Sequence, residues 1–334
     1  MNSKNLLIKR KIWQKIDSFS RKRSWYLWIF KSYWNYRFFK NNKTSDTQNY
    51  ITAIPNFYAG IGHQLANWNA GYWFSKQFEL KYAHIPFSTK KWEEFLGFGE
   101  NEMSFEELTR RMNYKTVRLP LFDETDAEKV LIIKGILNSY GSQNILFVLA
   151  QDQFYFEQFG VKEFIKNKFV NAASRQYDDL KYKSDNFNIA IHVRRTVIID
   201  SKVIFEDEEV RKKRWLSNDY YERVLLRVLE NLQSKKTIVI HIFSTAKADE
   251  FLEFSKYGEV VFCNDFNEYE SFLHLVKADL LITSKSSFSY KPALISDGIK
   301  VCPENFWHGY PKDKDWILAD NEGNFDVKLL KELV

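Results

Sequence analysis

Three side chains that could bind an anion lie at the end of one short apolar segment. The segment spans residues 189–195, and it ends with His192, Arg194 and Arg195. Arginine keeps its charge and is costly to bury, whereas its planar donors fit phosphate oxygens and can offset the charge on a departing phosphate. The segment therefore predicts a diphosphate site at a strand end, with His192 orienting the phosphate or sugar. The alternative is a buried histidine beside two surface arginines.

Two further apolar runs in the same half of the chain are followed by hydroxyl groups. The run at residues 237–243 leads into Ser244, and the run at residues 280–283 leads into a serine-rich loop that opens a predicted helix. The residues of that loop taken as phosphate or ribose ligands are Ser286, Ser287, Phe288 and Ser289. Ligands of open parallel sheets bind beyond the carboxyl ends of the strands, and helix N-termini favour anions.

A glycine-containing turn in the first half predicts a second contact with the same ligand. Gly60 and Gly62 follow a predicted strand, and His63 and Gln64 open a long periodic segment. Glycines let a backbone approach a ligand closely, but Leu65 occupies the third glycine position of the dinucleotide fingerprint. The alternative is an ordinary tight turn between a strand and a helix.

The order of predicted elements indicates an α/β protein with two Rossmann-like domains. The chain has 334 residues, of which 45% are hydrophobic and 17% aromatic, enough to form more than one core. The predicted division is an extension and linker at 1–49, a first domain at 50–175 and a second at 176–334. Residues 130–137 are predicted as a strand, 92–116 as helical and 200–213 as an exposed loop. Cys263 and Cys302 indicate core residues of a reduced, intracellular protein.

The first 40 residues alternate basic and aromatic side chains, with Asp17 as their one acidic residue. Their longest apolar run is far shorter than the roughly 20 residues that span a bilayer, and no secretory signal is evident. Three interpretations remain open for this extension. It could lie on an anionic membrane surface, pack its aromatic side chains on the protein body, or, least favoured, bind nucleic acid.

Taken together, the loops resemble the bacterial α-1,2-fucosyltransferases of glycosyltransferase family 11, within the wider fucosyltransferase superfamily. Six short motifs of that family have counterparts in the same order, over about residues 51 to 310. They are the Gly60–Gln64 turn, Gln151 with Tyr155-Phe156, His192-Val193-Arg194-Arg195, Leu216-Ser217-Asn218-Asp219-Tyr220-Tyr221, Phe243-Ser244, and Ser286-Ser287-Phe288-Ser289. The departures from the family are His63, Thr196-Val197, Thr245-Ala246 and Tyr290-Lys291.

The resemblance implies a GT-B architecture, in which two Rossmann-like domains face a central cleft. The cysteines predict a cytoplasmic protein, which would be peripheral on the inner membrane face under the membrane interpretation of the extension. It implies inverting transfer of a sugar, most often fucose from GDP-fucose, onto a hydroxyl of a glycan or glycolipid acceptor. The first domain would hold the acceptor and the second the donor. No cofactor is expected beyond this donor substrate. The departures leave open a different nucleotide sugar, or a catalytically silent protein that binds nucleotide sugars or glycans.

An inverting displacement also needs a base near the acceptor hydroxyl. Asp152 is the first candidate and His63 the second, although Asp152 would equally serve as a helix cap. Asp313 and Asp315 form the chain's one D-x-D pattern, which holds a metal ion in another class of glycosyltransferase. This pattern follows a proline and a lysine rather than an apolar strand, so the sequence predicts a polar loop and no metal site.

Overall fold

A computed structural model describes residues 3–39, 48–100, 102–149, 157–195, 197–199, 202–204 and 208–334. The chain forms two compact units, Met1–Val161 and Lys162–Val334. The sequence places the boundary later, after residue 175. The helix Lys162–Asn171 groups with the second unit, where Phe169 packs 6.1 Å from Phe272 between ring centroids. No helix among the described residues is long and apolar enough to cross a membrane.

The first unit is built on a parallel sheet. Its helices and strands are α1 (Ser3–Ser20), α2 (Lys31–Phe38), β1 (Tyr50–Ala53), α3 (Ile61–Gln77), β2 (Lys81–Tyr82), α4 (Lys90–Leu96), β3 (Lys115–Arg118), α5 (Ala127–Asn138) and β4 (Ile145–Leu149), with short helical turns at Tyr26–Ile29, Glu107–Arg111 and Gln158–Val161. Among the described residues the strand order is β2-β1-β4-β3, and every pairing is parallel. All of β4 is buried, as an apolar strand covered on both faces should be.

The second unit is a larger parallel α/β unit. Its elements are α6 (Lys162–Asn171), β5 (Asn186–Val193), β6 (Val197–Ile199), β7 (Lys202–Ile204), α7 (Glu208–Arg214), α8 (Asn218–Asn231), β8 (Thr237–Ser244), β9 (Glu259–Phe262), α9 (Glu268–Lys277), β10 (Leu280–Ile282), α10 (Ser287–Ile295), β11 (Ile299–Pro303), β12 (Trp316–Ala319) and α11 (Val327–Lys331), with 3₁₀ turns at Ala173–Tyr177 and Ala248–Tyr257. The strand order among described residues is β12-β11-β10-β5-β8-β9. The strand β5 therefore lies between β10 and β8, and the carboxyl ends of all three meet at one edge.

Two parallel α/β units confirm the predicted fold class. The strand that ends in the arginine pair is present as β5, and Ser217 caps α8 by accepting a hydrogen bond from the Tyr220 amide at 3.2 Å. The buried face of α8 comprises Tyr221, Val224, Leu225 and Val228, the i, i+3, i+4, i+7 spacing of a helix packed on a sheet.

Three local predictions are wrong. Residues 130–137 lie in the helix α5, because Ile133, Ile136 and Leu137 follow helical spacing and Asp126 caps the first turn. The segment predicted as helical at 92–116 contains α4 and a helical turn but ends in β3, which pairs with β4. The predicted loop at 200–213 includes β7 and most of α7; β7 pairs antiparallel with β6.

The N-terminal segment packs on the first unit. The carboxylate of Asp17 pairs with Arg118 at 3.0 Å, and both side chains are largely shielded from solvent. The Tyr26 hydroxyl donates to Asp17 at 2.8 Å and accepts from the Leu121 amide at 2.9 Å. Phe30 is buried and stacks on Trp13 with the ring centroids 5.2 Å apart. One side of the segment is therefore fixed to the protein body, as the packing interpretation predicts.

Candidate functional site

The site in the second unit is formed where β5 and β10 end side by side. His192, in β5, places its Nδ1 2.7 Å from the hydroxyl of Ser284, which lies two residues beyond the end of β10. Arg194, just beyond β5, donates from Nη1 to the Ser286 hydroxyl at 3.4 Å. Two of the predicted segments, 92 residues apart in sequence, are thus brought together.

His192 is an uncharged, partly buried imidazole. Burial, and secondarily the charge of Arg194, lowers the pKa of His192 to about 3. A neutral imidazole carries one donor and one acceptor nitrogen, so with Nδ1 bonded to Ser284 the ring is suited to hydrogen bonding rather than to supplying charge. Its ring centroid lies 5.6 Å from that of Phe288, which helps to fix its plane.

The two arginines are held differently. Arg195 donates from Nη1 to the carbonyl oxygens of Arg194 and Leu216, each at 3.0 Å, and from Nη2 to the side-chain oxygen of Asn218. Its guanidinium also lies over the ring of Trp215, 5.7 Å from the centroid. Burial lowers the pKa of Arg195, but arginine stays charged at any physiological pH. Arg195 is therefore a cation anchored to the start of α8. Arg194 instead faces residues 284–289, which we call the serine loop.

Hydrogen bonds within the serine loop fix its shape. Ser286 caps α10 by accepting from the Phe288 amide at 3.2 Å. The buried Ser289 hydroxyl accepts from the Ser284 amide at 3.3 Å and lies 3.3 Å from the Ser286 carbonyl oxygen. Of the predicted ligands, Ser289 thus shapes the loop, while Ser287 and Phe288 are only partly buried in the first turn of α10. Such a turn presents backbone N–H groups to an anion.

An open pocket of about 610 Å³ lies beside Arg195. It is lined by Arg195, Trp215, Thr245, Ala246, Lys247, Asp249 and Glu250. Thr245 and Ala246 stand where the fucosyltransferase resemblance has an acidic pair, and the carboxylates at this pocket instead come from Asp249 and Glu250. Ser244 accepts a hydrogen bond from the Ala246 amide at 3.1 Å, so its hydroxyl supports the turn after β8.

Sequence reasoning missed several residues around this pocket. Asn218 links Arg195 to the turn after β8, because its amide donates to the Glu250 carbonyl and the Glu253 carboxylate, both at 2.6 Å. Trp215, Asp249 and Glu250 were also missed. The only sequence signal was position: Asp249 and Glu250 follow the end of β8, at the sheet edge where ligands bind.

Behind the serine loop lie Tyr290 and Lys291, two of the residues that depart from the family pattern, and both are buried. Lys291 is fully buried in α10, and burial lowers its pKa well below the usual lysine value. Tyr290 stacks on the buried His308 with ring centroids 3.5 Å apart. These residues form the support of the loop rather than its ligand-facing surface.

The glycine turn belongs to the first unit. Gly60 is exposed at the start of α3 with φ −60°, and a side chain there would meet no atom within 4 Å. Neither strain nor crowding requires glycine at this position. Gln64 is buried, donates to the Ala59 carbonyl at 2.8 Å and the Ser88 hydroxyl at 2.9 Å, and accepts from the Ser88 amide at 2.8 Å. Gln64 therefore ties the turn to the loop before α4, while Gly62 is buried and His63 partly buried.

Some predicted residues lie outside the described part of the chain. They are Gln151, Asp152, Tyr155, Phe156 and Thr196. The assignment of Asp152 as the base accordingly stays a prediction.

The D-x-D carboxylates are both engaged in ion pairs. Asp313 pairs with Lys162, and Asp315 pairs with the buried Lys300. Within the described ranges, no group of three or more His, Cys, Asp or Glu side chains could hold a metal ion.

No family model and no curated protein matches the chain. Among solved structures, POFUT1 in complex with GDP is similar at 12% sequence identity and a TM-score of 0.44, covering 77% of this chain and 99% of that chain. The NodZ α-1,6-fucosyltransferase co-crystallized with GDP is similar at 11% identity and a TM-score of 0.44, covering 84% and 98%. The fucosyltransferase NodZ from Bradyrhizobium is similar at 10% identity and a TM-score of 0.44, covering 75% and 94%. At these identities and TM-scores the likeness does not assign an activity to this chain.

Proposed function

We propose that the protein is an inverting glycosyltransferase that transfers a sugar, fucose from GDP-fucose, onto a hydroxyl of a surface-glycan acceptor. The observation that carries the proposal is the joining of His192 and Arg194 to the serine loop at the ends of β5 and β10. Two adjacent cations beside a helix N-terminus suit a diphosphate. The order of the six motifs supports a member of glycosyltransferase family 11 with α-1,2 specificity.

The proposed reaction is a single displacement. The acceptor oxygen attacks the anomeric carbon as the bond from that carbon to the diphosphate oxygen breaks, so the electron pair leaves with the nucleoside diphosphate. Arg194 and Arg195 stabilise the charge that develops there, without a metal ion. The hydroxyl proton passes to a base, for which Asp152 is our candidate. The second unit would bind the donor and the first the acceptor, in an enzyme at the cytoplasmic membrane face.

A transferase that uses a different nucleotide sugar is the second candidate. The pocket beside Arg195 favours it, because Thr245 and Ala246 replace the acidic pair of the resembled family while Asp249 and Glu250 add carboxylates nearby. A silent nucleotide-sugar or glycan-binding protein is the third.

A donor screen separates these candidates. We expect GDP and GDP-fucose to raise the melting temperature of the full chain more than UDP, CMP and their sugars. Arg194→Ala should abolish the shift, whereas Arg223→Ala, an exposed arginine on α8 bonded to Glu322, should retain it. A larger shift with a UDP- or CMP-sugar would establish the second candidate. Nucleotide-sugar binding without donor hydrolysis or transfer would establish the third. No shift with any nucleotide would refute both transferase candidates and leave only a silent glycan-binding protein.

A further inference from the structure

The outward side of the N-terminal segment carries apolar side chains that packing on the first unit does not explain. Ile8, Ile12 and Phe19 of α1 are 57%, 53% and 67% exposed. At about 100° per residue they lie within roughly 40° of one another on the helix. Trp13 and Asp17 point to the opposite side, where they contact Phe30 and Arg118. The helix α1 thus has one side fixed against the protein and an apolar stripe in solvent.

An exposed aromatic cluster follows on the same segment. Trp28 and Phe38 are 58% and 73% exposed, and Trp34 lies between them, with its ring centroid 6.5 Å from that of Trp28 and 6.2 Å from that of Phe38. The indole N–H of Trp34 donates to the Trp28 carbonyl at 2.7 Å, which fixes the cluster. Within the described residues, Trp28 and Trp34 are the exposed tryptophans of the chain. Tryptophan is favoured where an apolar ring meets a wet polar boundary.

The exposed charged side chains of the segment itself, among its described residues, are all positive. Asp17 is the one acidic residue before position 46, and it is buried in its pair with Arg118. The exposed basic side chains include Lys9 and Lys15 of α1 and Lys22 in the turn that follows this helix. A surface of exposed apolar side chains interspersed with cations complements a bilayer with anionic headgroups and an apolar interior.

We infer that this outward side of residues 8–39, comprising the exposed stripe of α1 and the Trp28–Trp34–Phe38 cluster, binds an anionic phospholipid bilayer in the interfacial plane. The inward contacts of Asp17, Tyr26 and Phe30 hold the segment in place, so the surface is formed before it meets the membrane. The inference does not depend on the transferase proposal, since a silent binding protein would carry the same surface.

The test is cosedimentation of the full chain with vesicles of phosphatidylcholine containing about one third phosphatidylglycerol. We expect binding to these vesicles, little binding to pure phosphatidylcholine, and release as salt rises to about 1 M, where charges are screened within about 3 Å. Neutralising the three lysines together, by Lys9→Gln, Lys15→Gln and Lys22→Gln, should weaken vesicle binding roughly 100-fold. A matched control neutralises the exposed Lys134, Lys235 and Lys312, and should change binding little.

The aromatic contribution is tested by Trp28→Ser with Phe38→Ser, which should weaken binding roughly 10-fold or more. Tyr177→Ser, at a side chain that is 80% exposed in the second unit, is the control. Unchanged melting temperatures would show that all variants fold. Equal loss in the test and control variants, or equal binding to neutral vesicles, would overturn the inference. The inference would also be overturned if the chain bound a nucleic-acid duplex but not vesicles. It would be overturned as well if the full chain proved to be a dimer that the aromatic variant converts to a monomer.

Discussion

The Nδ1 atom of His192 lies 2.7 Å from the Ser284 hydroxyl, and this contact joins β5 to the loop that follows β10. The same hydroxyl lies 3.4 Å from that of Ser289 in α10. A chain of short polar contacts thus runs from the strand with the arginine pair into the serine loop. These contacts hold the imidazole in place, while burial lowers its pKa and keeps it uncharged next to Arg194.

The charge state of His192 predicts a pH dependence of stability. Burial lowers its pKa to about 3, while an unfolded histidine has a pKa of about 6.5. Between these values the unfolded chain binds a proton that the folded chain does not, so stability is complete above about pH 6.5 and is lost as the pH falls towards 3. We expect His192→Asn to reduce this slope by up to about 1.4 kcal/mol per pH unit, measured by denaturant unfolding.

Ser284→Ala is the control for that experiment. It removes the hydrogen bond but keeps the imidazole, so it should lower the free energy of unfolding by about 1 kcal/mol and leave the pH slope in place. An unaltered slope in His192→Asn would show that His192 titrates normally in the folded protein.

Substitutions of the two arginines should differ in their effect on stability but not in their effect on activity. Arg194→Ala and Arg195→Ala should each reduce transfer by about 10²–10³, because each removes a cation from the developing diphosphate charge. Arg195→Ala should also lower the free energy of unfolding by about 1–3 kcal/mol, since the Leu216 carbonyl and Asn218 lose their donor. Turnover assays and urea melts measure the two effects. Wild-type turnover in both variants would remove the arginines from the mechanism.

Activity should persist in excess EDTA. The reason is that leaving-group charge is met by Arg194 and Arg195, while Asp313 and Asp315 pair with Lys162 and Lys300. Transfer is measured before and after chelation, and again with Mn²⁺ added. Loss on chelation that Mn²⁺ restores would instead assign a metal ion to the reaction, and Asp313→Asn would then be expected to abolish it.

The sequence predicted the elements whose signals are local. An apolar run predicted β5. Residues 215–221 predicted the start of a helix capped by Ser217 or Asn218, and α8 begins there with Ser217 as its cap. It failed at α5, where the apolar run at residues 130–137 suits a strand and a helix equally by composition, and only the burial of Ile133 and Ile136 shows the helical spacing.

For the site, strand ends and polar loops predicted where the histidine and arginines lie, but not their partners. Ser284 and Asn218 contact His192 and Arg195 across gaps of 92 and 23 residues, which no local pattern encodes. Gln64 is a different case: it belongs to a motif that suggested ligand binding, and the structure shows it buried with protein partners, so its role as a ligand stays a prediction.

Gln64→Ala should therefore destabilise the first unit. It removes three hydrogen bonds and leaves the Ser88 amide without its acceptor, which should cost about 2 kcal/mol in the free energy of unfolding. Nucleotide affinity, measured by titration calorimetry, should stay within about twofold. Gln77→Ala, an exposed residue at the end of the same helix, is the matched control. Unchanged stability with affinity reduced tenfold would return Gln64 to the ligand site.

Breaking the Asp17–Arg118 pair should destabilise the protein without affecting vesicle binding. The two side chains are 6% and 15% exposed, so Asp17→Asn leaves a shielded guanidinium without its counter-charge and should cost about 3 kcal/mol. Glu322→Gln breaks the exposed pair with Arg223 and should cost less than about 1 kcal/mol.

Because the N-terminal segment makes such buried contacts with the protein body, a chain that begins at Thr47 should melt well below the full chain. Equal melting temperatures for the full and shortened chains would show that the N-terminal segment is a separable extension after all.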